Sequence, residues 1–347
     1  MHIVHLVLTS KFAGSERYAL ELGAAQAADH RVTLILRKEA AGKSARNILS
    51  HVDPSIEIIL VNNFFRRFQA RAVLKRLKPD IAHAHLSEAC KAIEPIGHVC
   101  KRVATLHICY KKRQHRHLDG LIAIAPWQLP SIHPALRPHS VHINNWTLEK
   151  KYGQNARMRL RGSLGIAEDD FVFGSIGRIE KSKGMDVLID AHQKLADPGT
   201  KLVILGDGSN RRNWQKRLSS GQFMPGFSTE PENWMLAFDC FVSASRSEPF
   251  GLAILEAMQA GCPVIATKSH GAQHLSGYLA TDLVTCGDAA ALCKQLMTSL
   301  EKGQRRQEYR MDDFRIGTQV VAVEDFYRRI LSGRTMESGT PGPQVTG

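Results

Sequence analysis

The sequence predicts an α/β protein built from two doubly wound domains, each a parallel sheet with helices on both faces. Three observations predict it. Short apolar runs recur along the chain, each followed by a segment with helical spacing. The series stops at a polar stretch after residue 150 and then restarts. The length of 347 residues suits two domains of roughly 100–200 residues each.

The elements follow in order. Residues 2–8 form a compact apolar run, 11–14 a loop, and Ser15 caps a helix over 16–28 with Tyr18, Leu22 and Ala25 on one face. A strand over 32–36 completes a βαβ unit, which implies a parallel sheet. Residues 56–61 read as a strand and 66–77 as a basic helix stopped by Pro79; strands follow at 81–85, 103–106 and 121–125. Residues 151–167, with Gly153, Gly162 and Gly165, read as a linker. The second series has strands at 171–176, 201–205, 239–244 and 264–266, with helices at 186–195 and 252–260, the latter ended by Gly261. Residues 319–331 carry Val320, Val323, Phe326 and Tyr327 at helical spacing. The expected domains are 1–150 and 151–317, then a helix over 318–331 that either stays with the second domain or crosses back to the first, then a disordered Gly/Pro/Ser/Thr tail over 332–347.

Composition narrows the class. A hydrophobic content of 43% supports packed cores. The net charge of +13 points to anionic partners: nucleic acid, a membrane face or anionic substrates. It gathers in the first domain, at Arg66, Arg67, Arg71, Lys75, Arg76 and Lys78, then Lys101 and Arg102, then Lys111, Lys112, Arg113 and Arg116. Phe64, Phe65 and Phe68 lie beside the first group, a mixture suited to an anionic lipid surface. The bland alternative is a set of solvated faces. Cys90, Cys100, Cys109, Cys240, Cys262, Cys286 and Cys293 include no C-x-x-C pair and read as buried, reduced thiols. The start MHIVHLVLTS lacks the features of a signal peptide, and no apolar run reaches the ~20 residues that span a bilayer. The expected location is cytoplasmic, with peripheral contact to the cytoplasmic face of an inner membrane.

The chemistry concentrates in residues 243–267, SASRSEPFGLAILEAMQAGCPVIAT. A strand ends, Pro249, Phe250 and Gly251 turn the chain, and a helix begins. Unpaired amides and the positive dipole end at a helix start suit phosphate or hydroxyl oxygens. Glu248 and Glu256 flank the turn with seven residues between them, and carboxylates suit the paired hydroxyls of a ribose or hexose. Two solvated glutamates on an ordinary amphipathic helix are the competing explanation; the whole string argues against it.

This string resembles the donor-binding motif of glycosyltransferase family 4, the retaining enzymes with the GT-B fold. The resemblance implies two Rossmann-like domains facing across a cleft. It assigns Glu248 to the donor sugar, Glu256 to the ribose hydroxyls, and the backbone of Phe250, Gly251 and Leu252 to the sugar and distal phosphate. SIGRIEKSKGMDVLIDA, residues 175–191, resembles the family's Gly-Arg…Lys-Gly segment, in which Arg178 and Lys183 neutralise the diphosphate. LVILGDGSNR, residues 202–211, resembles the strand and glycine turn before the nucleotide pocket, but it lacks the third glycine of a dinucleotide fingerprint. Residues 223–227 resemble the loop that meets the base, which makes Gly226 a contact. FAGSERYALEL resembles the Gly-Gly-x-Glu loop, with Ala13 in place of the first glycine and Gly14 as the second, which reaches the donor phosphate. His107 follows a strand, where the family places a histidine near the donor sugar; His83 and His85 resemble the strand end facing the acceptor side. No ligand spacing among His83, His85 and His107 supports a metal site, and the family needs no metal or other cofactor.

The resemblance therefore implies transfer of a sugar from a nucleotide-diphosphate donor to a glycan or glycolipid acceptor of the cell envelope, such as lipopolysaccharide core. Glu248, Lys183, Arg178 and His107 would form the catalytic set. A sugar-nucleotide epimerase that hydrolyses its intermediate is one alternative. A non-catalytic basic protein binding RNA or an anionic glycan is another, although no nucleic-acid motif appears.

Overall fold

Strands with both faces covered are apolar throughout rather than alternating, and these strands carry runs such as Leu-Ile-Leu and Phe-Val-Phe. The computed structural model describes residues 1–10, 12–41, 47–303 and 305–334. Strands β1 (His2–Val7), β2 (Arg31–Arg37), β3 (Glu57–Val61), β4 (Ile81–His85), β5 (Lys101–Leu106), β6 (Gly120–Ala123) and β7 (Ser140–His142) form one sheet in the order β3-β2-β1-β4-β5-β6-β7. Strands β8 (Phe171–Ile176), β9 (Thr200–Leu205), β10 (Gln222–Gly226), β11 (Cys240–Ser243) and β12 (Val264–Ala266) form the other, in the order β10-β9-β8-β11-β12. Every pairing is parallel. The order reverses between β1 and β4 and between β8 and β11, and ligands of open α/β sheets bind outside the strand carboxyl ends at such switch points.

The chain divides into a unit of residues 1–145 with 314–347 and a unit of residues 146–313. This moves the expected boundaries. Residues 146–150 belong to the second unit because Trp146 is buried and the Thr147 hydroxyl donates to Gln259 at 2.8 Å. The supposed linker contains a helix, Ala156–Gly162, and the amide of Gly153 donates to Asn233 at 2.7 Å. The last helix, Ile316–Ser332, begins earlier than expected and belongs to the first unit, where it packs on the helix Gly14–Gln26. Val323, Phe326, Tyr327 and Ile330 are its buried face. Ser332 is helical rather than part of a tail, and residues 335–347 lie outside the described residues, as does Lys11. Ser15 does not cap the first helix: Ala13 takes the cap position and the Ser15 hydroxyl donates to Glu16 at 2.9 Å.

Five of the seven cysteines are buried free thiols, and burial pushes Cys100 up to about 11 and Cys262 up to about 12. No described helix is long and apolar enough to cross a membrane.

The Ala156–Gly162 helix is pinned by a buried ionic cluster. Arg161 meets Asp239 at 2.5 Å with both side chains almost fully enclosed, and Arg157 meets the other carboxylate oxygen at 2.7 Å. The amide of Val172, in β8, also donates to Asp239 at 2.7 Å. Removing one partner of such a pair strands the other charge away from water. Asp239→Ala is expected to destabilise the second unit by about 3–5 kcal/mol, read from the midpoint of a denaturant titration.

Candidate active site

Two loops at the carboxyl ends of β8 and β11 build the site. The first runs from Gly177 to a left-handed Gly184, which opens the helix Met185–Leu195. The second runs from Ala244 to Gly251, which has φ +99° and opens the helix Leu252–Gln259. Charge and close packing hold them together. Arg246 donates to both oxygens of Asp186 at 2.7 and 2.9 Å, and to the carbonyl of Lys181 at 3.0 Å. The amides of Arg246 and Ser247 both donate to the carbonyl of Ser182. Burial works to raise the Asp186 carboxyl, but its bonds to Arg246 override this and hold it below the usual carboxylate range. At Gly184 a Cβ would lie 1.9 Å from the carbonyl oxygen of Ala244, so only glycine permits this approach.

The clamp brings Lys183 against Glu248. The ammonium and the carboxylate form an ion pair, both half-buried. With Ser175, Ser245, Gly251 and Ile254 they line one small concavity at the head of the Leu252–Gln259 helix. The first amides of a helix have no intrahelical acceptor, so a cation, a carboxylate and helix amides converge here. The Glu248 carbonyl is fixed from behind by the amide of Gly271 at 2.7 Å.

The other expected donor contacts are distributed around this centre. Leu252 is half-buried in the first turn, and Phe250 is buried with its ring 5.5 Å from that of His274. Glu256 lies about one turn into the helix and acts electrostatically on Tyr152; burial lifts that hydroxyl above its ordinary value, Arg306 opposes this, and Glu232 and Glu256 add to it. Arg178 does not line the concavity: its side chain is 68% exposed and pairs with Glu180 at 3.1 Å. Gly226 is not in a loop but ends β10, where its carbonyl accepts from Gly206 at 2.8 Å; the Arg211 guanidinium occupies the space beside its Cα. The Arg246–Asp186 clamp escaped the sequence reading. Only its parts were visible there: Arg246 stands two residues before Glu248, and Asp186 three after Lys183 at the start of the Met185–Leu195 helix.

In the first unit, Gly14 is exposed at the head of the Gly14–Gln26 helix. Ala13 there has φ −150°, extended backbone that any residue adopts, so alanine in place of glycine is no strain. His107 is half-buried just past β5. His83 and His85 are both buried, because they share the enclosed sheet face with His5. Desolvation lowers His5 to about 4 and His107 to about 3, and takes His83 and His85 well below the usual imidazole range, so all four rings are neutral near pH 7. His5, His83 and His85 bring one ring nitrogen each to within 4.8 Å of one another, a spacing that could hold a metal ion. The facing nitrogens of His5 and His85 already share a hydrogen bond at 3.1 Å.

Residues 156–312 match the family model described as Glycosyl transferases group 1, and residues 12–137 match Glycosyltransferase Family 4. The chain belongs to this glycosyltransferase family, and its two parallel sheets are those of the GT-B fold. Among curated relatives it is similar to the lipopolysaccharide core biosynthesis glycosyltransferase LpsE of Rhizobium meliloti, 37% identical over 33% of this chain and 34% of LpsE. It is also similar to the O-antigen biosynthesis glycosyltransferase WclY of Escherichia coli, 30% identical over 41% of this chain and 39% of WclY. The chain thus spans about two fifths or less of the length of these relatives. Among solved structures, Anabaena HepE in complex with UDP-glucose superposes with a TM-score of 0.73 at 20% identity, covering 96% of this chain and 99% of HepE.

The Gly184 approach is testable by itself. Gly184→Ala combines a positive φ with a backbone collision, so it should cost more than ~1 kcal/mol of second-unit stability in denaturant titration. Gly277→Ala, where nothing lies within 4 Å of the new methyl, should stay within about 0.5 kcal/mol of wild type.

Proposed function

We propose that this chain is a retaining glycosyltransferase that moves a sugar from a nucleotide-diphosphate donor to an envelope glycan or glycolipid, such as lipopolysaccharide core. The observation that carries the reading is the convergence of Lys183, Glu248 and the head of the Leu252–Gln259 helix on one concavity. Relatives named for lipopolysaccharide core and O-antigen biosynthesis support the acceptor class. HepE, of like fold, is a UDP-glucose complex, which supports the donor class.

In this reading Lys183 and the amides at Gly251 and Leu252 hold the diphosphate, Arg178 swings from Glu180 to join them, and Glu248 orients the sugar hydroxyls. Glu256 takes the ribose, Gly226 lies near the base, and the family resemblance assigns Gly14 and His107 to the same donor. The bond between C1 and the diphosphate oxygen breaks as the acceptor oxygen bonds to C1 on the same face. The acceptor proton passes to the departing phosphate. Positive charge placed in advance where the leaving group gains negative charge is the main source of rate, and no metal or other cofactor is required by this reading.

The acceptor side has a candidate docking surface. Phe64, Phe65 and Phe68 are 91%, 66% and 71% exposed at the head of the helix Arg66–Leu77. Arg66 and Arg67 are paired with Glu88, whereas Lys75, Arg76 and Lys78 are exposed and make no ion pair among the described residues. Exposed rings beside unpaired cations suit an anionic membrane surface.

Lys183→Ala and Glu248→Ala should each lower turnover by about 10²-fold or more while circular dichroism stays unchanged, measured with the nucleotide sugar that gives the largest thermal shift in a UDP-, GDP- and ADP-sugar screen. Wild-type turnover in either folded variant would falsify the assignment. For the membrane surface, wild type should sediment with vesicles of anionic phospholipid at low salt, and a variant with Phe64, Phe65 and Phe68 all changed to Ser should stay in the supernatant.

A further inference from the structure

One face of the first sheet is polar where a core is usually apolar. His5 stands beside His83 in register, and His85 beside Thr105. Residues two apart on a strand share a face, so these side chains form a stripe that His107 continues past the end of β5. The Gly14–Gln26 helix lays Tyr18 and Gln26 on the stripe, with the Tyr18 ring 5.0 Å from that of His107. The Ile316–Ser332 helix adds Tyr327, whose hydroxyl lies 2.6 Å from Nδ1 of His83. The rings are linked in line: Gln26 Oε1 to His5 Nε2 at 2.8 Å, His5 Nδ1 to His85 Nε2 at 3.1 Å, His85 Nδ1 to His107 Nε2 at 3.0 Å.

The closed end of this line fixes the protons. A carbonyl oxygen only accepts, so Nε2 of His5 carries its proton and donates to Gln26. A neutral imidazole has one N–H, so Nδ1 of His5 accepts from Nε2 of His85. By the same rule Nδ1 of His85 accepts from Nε2 of His107. The direction follows from the Gln26 amide standing with its oxygen toward His5; its nitrogen makes no hydrogen bond, and turning the amide over would reverse the line. The side branch agrees: Tyr327 donates to Nδ1 of His83, which leaves Nε2 of His83 to donate to Thr105 at 2.8 Å. Each ring then has one donor and one acceptor, and every shared pair has one proton. The remaining position is Nδ1 of His107, a lone pair with no partner among the described residues. The same assignment bears on the three ring nitrogens of His5, His83 and His85 that could hold a metal ion. The lone pair of His5 and the proton of His85 are already committed to each other.

We propose that His85, His5 and Gln26 are positioning residues that lock His107 in its Nε2–H tautomer, so that Nδ1 is presented at the carboxyl edge of β5 as a hydrogen-bond acceptor for a sugar hydroxyl. The hydroxyl as ligand rests on the transferase reading above; the tautomer lock rests on the hydrogen-bond geometry alone. A ring free to choose its tautomer would meet that hydroxyl as a donor part of the time, and the hydroxyl proton would then have to turn away from the ring.

The test uses the full-length protein labelled with ¹⁵N-histidine, with His107 signals assigned by their loss in His107→Ala. Long-range ¹H–¹⁵N spectra should show His107 bare at Nδ1 and protonated at Nε2. His85→Leu removes the acceptor, so His107 should become a tautomer mixture, and kcat should fall roughly 10–100-fold with the donor KM nearly unchanged. His85→Asn places a carbonyl oxygen where Nδ1 stood and should restore both the tautomer and most of kcat. A wild-type His107 protonated at Nδ1 overturns the lock. So does stoichiometric zinc in purified protein that His5→Ala removes, since the metal would take the lone pairs the line uses. A restored tautomer in His85→Asn with turnover no better than His85→Leu overturns the positioning role. A wild type with the expected tautomer but no transfer from any donor supports the lock and overturns only the transferase reading.

Discussion

The turn at Gly184 lies against the backbone of Ala244 so closely that no side chain fits between them, and the donor-side geometry depends on this approach. Without it the two loops would separate by at least the width of a methyl group. Lys183 would lose Glu248, and the Arg246 fork would lose the carbonyls and carboxylate that it holds. The consequence is a preformed site. The ammonium, the carboxylate and the helix head are set by backbone contact rather than gathered by a ligand, so little ordering is left for binding to accomplish. Arg178 is the exception, an exposed fork on a weak partner. Its side chain lies outside the concavity and is not held by the clamp.

The architecture was legible because it is written in period and punctuation. The strands 81–85, 171–176 and 264–266 and the helix 66–77 fall where apolar runs and Pro79 place them. The elements that were not legible have a different physical basis. The Ala156–Gly162 helix looks like a linker because its residues are polar; it exists because Arg161 and Arg157 reach a buried carboxylate far along the chain at Asp239. Strand β7 has three residues, too few to show a period. At the site, Lys183 and Glu248 could be read from motif strings, but their contact could not. The Arg246–Asp186 pair that enforces it spans 60 positions, a relation that local sequence does not encode. The burial of His83 and His85 was hidden for a related reason: the helices that cover them lie far away along the chain.

The distribution of polar groups differs between the two units. In the second, the buried charges are paired ions with backbone partners, and they hold one helix in place. In the first, a stripe of buried uncharged rings is linked in sequence. A neutral network avoids the heavy cost of desolvating ions, but it tolerates no missing member, since each ring depends on its neighbour for a donor or an acceptor. That requirement joins strands β1, β4 and β5 to the helices on either side of the chain's midpoint.

The bond from His83 to Tyr327 closes across 244 positions. During synthesis the first sheet emerges early, yet the part of its inner face under Tyr327 stays uncovered until the Ile316–Ser332 helix has left the ribosome. The second unit is contiguous, within residues 146–313. The nascent chain therefore reverses the usual vectorial order: the later-made body can close first, and the earlier-made one waits for the Ile316–Ser332 helix.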